Sequence, residues 1–136
     1  MSTKDYLSQA YRIDQRINSK LAQVMSLRDL LGKATGTLSG APKAATPNPH
    51  SMEDTIAKMV DLENEINEDI DALVDLKAEI MRRIKRVENT EYQTILELRY
   101  LCFKRWEEVS VELGYSMQHL FRLHEEALEA VSFSER

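Results

Sequence analysis

The chain has little of what punctuates or staples a fold. A single cysteine among 136 residues, Cys102, excludes an internal disulfide framework and fits a reducing compartment. No apolar run approaches the roughly 18 residues of a membrane span. No charged segment leading into an apolar stretch opens the sequence, which predicts neither a membrane anchor nor a secretory signal and leaves a cytoplasmic protein. No Gly-rich phosphate loop, nucleophile elbow or paired-acid cleft is present, so no enzyme is expected. Metal-ligand spacing is lacking too: His119 and His124 stand five apart, off one helical face, and His50 falls elsewhere. No metal and no cofactor is expected. Cys102, beside Phe103, reads as a small core residue. The net charge of −5 argues against wholesale coating of nucleic acid while leaving local patches open.

What glycine and proline there is lies in one place. Pro42, Pro47 and Pro49, with Gly32, Gly36 and Gly40, fall within 32–51 among small residues, a composition that predicts a flexible linker. On both sides helix breakers are nearly absent, which makes the chain all-α. Residues 1–31 predict an amphipathic helix. Tyr6, Ala10, Ile13, Ile17, Val24, Leu27 and Leu31 repeat in steps of three and four, the pattern of a coiled-coil seam. Lys20 is the one misfit, with Leu21 beside it to cover the gap. Ser2 predicts the start and Gly32 the stop.

Residues 52–88 predict a longer coiled-coil helix. Its stripe reads Met52, Ile56, Met59, Ile66, Ile70, Leu73, Ile80, Ile84 and Val87, interrupted at Glu63 and Lys77, with Ser51 as the cap. Such a helix needs a partner, either the first helix folded back antiparallel or another copy of the chain, which predicts a homodimer. Residues 1–51 carry a net +4 and residues 52–88 a net −5, which favours pairing of the two, although a solvated face on each gives the same counts. The crowded carboxylates of the second helix read as solvated.

After Asn89 the single stripe gives way to three short helices. Thr90 with Gln93 predicts one start, followed by a helix through Tyr92, Ile95, Leu96 and Leu98 to about Leu101. A helix from Trp106 to Leu113, a turn at Gly114 and a helix from Met117 capped by Ser116 then have the spacing of a helix-turn-helix. Ser110 is small where the second helix must approach. Trp106, Val109, Leu113, Leu120 and Leu123 supply the apolar core. Any two-helix hairpin can carry glycine in its turn, but here the small residue and the apolar positions agree as well. Exposed residues at the start of the second helix are the ones that enter a major groove. These are Met117, Gln118, His119, Phe121 and Arg122, with Ser116, Lys104 and Arg105 placed for backbone contacts. Gln118 suits adenine, Arg122 guanine or a phosphate, and Phe121 a thymine methyl.

The runs Leu98-Arg99-Tyr100-Leu101, Trp106-Glu107-Glu108-Val109, Leu113-Gly114-Tyr115-Ser116 and Arg122-Leu123-His124, with Ala127-Leu128, resemble region four of bacterial sigma factors. More closely, the chain resembles a family of small phage and prophage proteins of Gram-positive bacteria, carried as a domain of unknown function. That family is similar to the ArpU and RinA type regulators of phage late operons. The resemblance extends to Asp5-Tyr6-Leu7 and the Pro-rich linker. It implies a sigma-like domain that binds promoter or operator double-stranded DNA in the bacterial host cell and acts with RNA polymerase. One departure bears on affinity. Residues 89–136 carry a net −4, and Arg122 is the one full positive charge between Trp106 and Ser134. Phosphate neutralisation supplies much of DNA affinity, so a single copy binds weakly and oligomerisation through the long helices offsets this. The same acidity supports one alternative, an adaptor docking on RNA polymerase or its sigma factor; the joining of a helix-turn-helix to coiled-coil helices supports another, a packaging component resembling a small terminase subunit.

Overall fold

The computed structural model describes residues 1–38 and 49–134, with side chains described over 1–33 and 52–132. These residues form five α-helices and, among them, no strand: α1 (Thr3–Leu38), α2 (Pro49–Lys85), α3 (Thr90–Leu96), α4 (Trp106–Leu113) and α5 (Met117–Ser134). A π-helical turn, Glu97–Leu101, continues α3.

Local chemistry explains most boundaries. The Ser2 hydroxyl accepts the Asp5 N–H at 3.1 Å and opens α1. Gly32 does not close it. One glycine inside a helix costs only about 1 kcal/mol relative to alanine, and α1 runs on to Leu38. The stretch expected to be linker is therefore helical over 32–38 and again from Pro49, while 39–48, with Gly40, Pro42 and Pro47, lies outside the described residues. Helix α2 begins two residues before the expected Ser51. Its proline lacks only an N–H that has no partner in the first turn anyway. Arg82, Arg83 and Lys85 in its last turn complement the dipole. Asn89, not Thr90, caps α3, accepting from the N–H groups of Glu91 and Tyr92 at 2.8 and 3.2 Å. Gln93 instead donates its side-chain amide back to the Val87 carbonyl.

The chain divides into two compact units, residues 15–71 and residues 1–14 with 72–136. In the first, α1 and α2 run antiparallel within one chain. Lys20 meets Asp69 at 2.7 Å and Glu65 at 3.3 Å, while Arg28, further along α1, meets the earlier Glu63 at 3.6 Å. Ile17, Val24, Met59 and Ile66 are buried between them. The seam differs from the expected one at alternate positions. Thr55, Leu62 and Asp69 turn inward, whereas Ile56 and Ile70 are 49% and 42% exposed. Leu21, expected to cover the Lys20 gap, is 45% exposed. Lys20 itself enters the seam with its side chain 13% exposed, and its hydrogen bond to Asp69 raises its pKa above the ordinary lysine value. The register thus follows an ion pair at the expense of two isoleucines. Lys20→Leu is expected to lower the melting temperature, because Asp69 then faces the seam without its cation. Adding Asp69→Leu is expected to bring it back to the wild-type value or above. A single variant as stable as wild type would remove the ion pair from the account of register.

The second unit, the head, gathers the first turns of α1, the end of α2 and α3 to α5. Leu7, Ala10, Ile80, Ile84, Val87, Leu96, Tyr100, Ala127 and Val131 form its main core. The beginning of α1 therefore belongs to the head, while its continuation from Gln15 belongs to the first unit. A second, smaller core of Ile95, Val109, Leu120 and Leu123 holds α4 and α5 against α3, with Tyr92, Leu98, Trp106, Leu113 and Tyr115 packed around it.

Candidate nucleic-acid interface

The candidate interface is built on the α4–turn–α5 segment. Glu108 accepts the Arg105 N–H at 3.1 Å and fixes the first turn of α4. Gly114 ends the helix at φ 74°, a left-handed conformation that costs glycine nothing, and donates its N–H to the Ser110 carbonyl at 2.9 Å. The Tyr115 N–H reaches the same carbonyl at 3.1 Å, and the Ser110 hydroxyl donates to the Tyr115 carbonyl. Ser110 is thus a clamp on the turn as well as a small residue. Ser116 then caps α5 by accepting the His119 N–H at 3.2 Å.

Val109, Leu120 and Leu123 are buried, and Trp106 and Leu113 half-buried around them. With that side of α5 packed inward, Gln118, Phe121 and Arg122 are exposed, Phe121 at 44%. Ser116 is exposed, and Met117 and His119 are half-buried. Arg122 and His119 share a 2.8 Å hydrogen bond between Nη2 and Nδ1, and the His119 ring meets Tyr115 edge-on at 5.0 Å. Phe121 rests edge-on against Trp106 at 5.6 Å. The outward edge of α5 therefore presents an amide, a guanidinium and a supported aromatic ring.

The two cations ahead of α4 are less available. Lys104 pairs with Glu112, which raises its pKa, and Arg105 pairs with Glu108 at 3.2 Å; the Arg105 backbone N–H first and its side chain second lower the glutamate's pKa. Both pairs are at least partly exposed, and exposed pairs contribute little, so a phosphate can compete for either cation.

Several partners are far apart in sequence and had no local signal. Tyr115 donates to Glu91, and Tyr92 donates to Glu126 at 2.7 Å. These bonds tie α3 to the turn and to α5, and each raises its tyrosine's pKa. Behind α5, His124 is 4% exposed, with Nε2 2.6 Å from the Tyr100 hydroxyl and its ring 4.5 Å from Trp106. Burial, together with the charges of Lys4 and Arg99, lowers the His124 pKa to about 4, and burial raises that of Tyr100 to about 12. Cys102, expected in the core, is exposed. Among the described residues no group of three or more His, Cys, Asp or Glu is placed to hold a metal, and no helix is long and apolar enough to cross a membrane.

These features define an all-α protein with a helical hairpin and a compact head. The chain belongs to the family described as "Protein of unknown function (DUF1492)", which matches residues 43–132. Comparison with curated proteins and with solved structures gives no match.

Proposed function

We propose that this protein is a sequence-specific DNA-binding regulator of phage or prophage transcription. In this reading the α4–turn–α5 segment is a sigma-like helix-turn-helix and the long helices oligomerise in the bacterial cytoplasm. The observation that carries the reading is the division of α5. Leu120 and Leu123 are held in a dedicated small core, while Gln118, Phe121 and Arg122 stand outward on the same helical turns. A recognition helix needs that division, and its leading residues match the donors and apolar groups that read base edges. Similarity to ArpU and RinA type regulators belongs to this proposal, as do promoter DNA and RNA polymerase as partners. Exposed Leu21, Met25, Ile56, Val60 and Ile70 on the hairpin helices supply apolar surface for a homodimer.

The test is retention of duplex DNA from the protein's own late-gene region at two salt concentrations. Affinity is expected to fall steeply with salt, and Arg122→Ala to weaken it about tenfold and reduce the salt slope by about one. No retention, or retention that Arg122→Ala leaves unchanged, would end the DNA reading.

One observation favours the adaptor reading instead. Phe121, backed by Trp106, and Val111, 84% exposed, are apolar groups on a segment of net charge −4. Capture of purified RNA polymerase or its sigma subunit without DNA, lost in Phe121→Ser, would support docking on protein.

A further inference from the structure

The head also holds a concavity that shares Arg105 with the proposed DNA contact but otherwise lies apart from the outward edge of α5. A cleft of about 160 Å³ opens between the first turns of α1 and the π-helical turn. Three cations, Lys4, Arg99 and Arg105, line it together with the rings of Tyr11, Phe103 and Trp106, and no carboxylate does. Residues 89–136 carry a net −4, so a cleft lined by cations runs against the composition around it, and of the three only Arg105 has a carboxylate partner among the described residues, the exposed Glu108 at 3.2 Å.

The cleft is also held in shape. Arg99 donates Nη1 to the Lys104 carbonyl at 3.0 Å, and its guanidinium lies 4.7 Å from the Trp106 ring centre, so its direction is fixed before anything binds. Phe103 sits at φ 58°, a left-handed position at a helix end where glycine is the unstrained choice. The Lys104 N–H closes that helix end onto the Leu98 carbonyl at 3.0 Å. The strained backbone holds the Phe103 ring 5.5 Å from Tyr11, with the Lys77 ammonium 4.5 Å from its centre. A strained non-glycine residue and a π-helical turn, Glu97–Leu101, meeting at one cleft are features that cluster at functional sites. Behind the cleft, the charges of Lys4 and Arg99 reach His124, whose protonated form they disfavour.

We propose that this cleft is a phosphate-binding site formed by Lys4, Arg99 and Arg105. Its volume is that of about five waters, which suits a phosphate group with part of its ester. Charge-assisted hydrogen bonds from the three cations would hold the phosphate oxygens, with the aromatic rings packed beside them. The phosphate comes either from a nucleic-acid strand or from a free phosphate compound. The first source rests on the DNA reading, since Trp106 joins the cleft to Phe121 on the outward edge of α5. The second does not.

Trp106 is the chain's one tryptophan and lines the cleft, so its fluorescence reports on occupancy. The full chain is titrated with inorganic phosphate at an ionic strength held constant with sodium chloride. A saturable change in the millimolar range is expected, with chloride giving none. Lys4→Gln and Arg99→Gln are each expected to weaken it about tenfold. If Arg99→Gln fails to fold, Lys4→Gln, at an exposed position, decides alone. Competition with a short duplex identifies a strand phosphate as the source. Tighter binding of adenosine monophosphate without duplex competition identifies a free one. Arg122→Ala lies outside the cleft and should leave phosphate affinity unchanged, which separates this site from the DNA reading. Absence of a saturable phosphate response, or a response that Lys4→Gln leaves intact, overturns the proposal.

Discussion

Leu7→Ala is expected to destabilise the protein by roughly 2–5 kcal/mol, which corresponds to a melting temperature lower by about 10 °C for a chain of this size. Leu7 is fully buried, and it shares its core with Ile80 and Ile84 of α2, Leu96 of α3 and Ala127 and Val131 of α5. Truncating it leaves a cavity bordered by three other helices, none of which can collapse without moving its neighbours. By contrast Met25→Ala, at a side chain 63% exposed, is expected to change stability by about 0.5 kcal/mol or less. Thermal unfolding followed by circular dichroism compares the two. Equal effects would mean that the first turns of α1 do not belong to the head's core. The prediction also bears on the phosphate cleft, because Lys4 is on the same turns: a variant that frees this end of α1 is expected to lose the phosphate response as well.

The sequence announces the features that depend on neighbours within four residues. Ser116 as a cap, Gly114 in a left-handed turn and the inward set Val109, Leu120 and Leu123 follow from local spacing, and the all-α class follows from the absence of internal breakers. Features that depend on distant partners are not announced. In α2 the stripe through Ile56 and Ile70 is the more hydrophobic of two that share Met59 and Ile66, and hydrophobicity alone selects it. Lys20 tips the balance, because burying it requires Asp69 in the seam, and Asp69 brings Thr55 and Leu62 inward with it. Leu7 lies beside the stripe that includes Tyr6 and Ala10, so its capture by α5 cannot be read from α1 alone. The π-helical turn has no compositional mark. Tyr100 and His124 are 24 positions apart, and Lys4 is further still from Arg99, so neither the buried pair nor the cleft exists until the chain has folded.

The buried pair gives the protein a sensitivity to acid. In the folded chain His124 has its pKa lowered from 6.5 to about 4, first by burial and then by Lys4 and Arg99. In the unfolded chain it returns to the ordinary value. Between pH 6.5 and 4 the unfolded state therefore binds a proton that the folded state refuses, and stability rises with pH across that window. The contribution is complete above pH 6.5 and is lost as pH falls to about 4, below which it no longer changes. A separation of that size corresponds to on the order of 3 kcal/mol, a large part of the 5–15 kcal/mol by which domains are typically stable. Tyr100 acts at the other extreme. Its pKa of about 12 means that the unfolded phenol ionises first, so stability falls as pH rises above 10. Urea unfolding at a series of pH values checks the acid limb, read as wild type minus His124→Gln so that common carboxylate titrations cancel. The difference is expected to shrink steadily from pH 6.5 to 4. A parallel pair of curves would show that His124 ionises as freely in the head as in the unfolded chain, and would remove the cationic field of Lys4 and Arg99 from the account of this site. Tyr100→Phe is expected to keep most of the acid slope, because burial is the first cause of the shift.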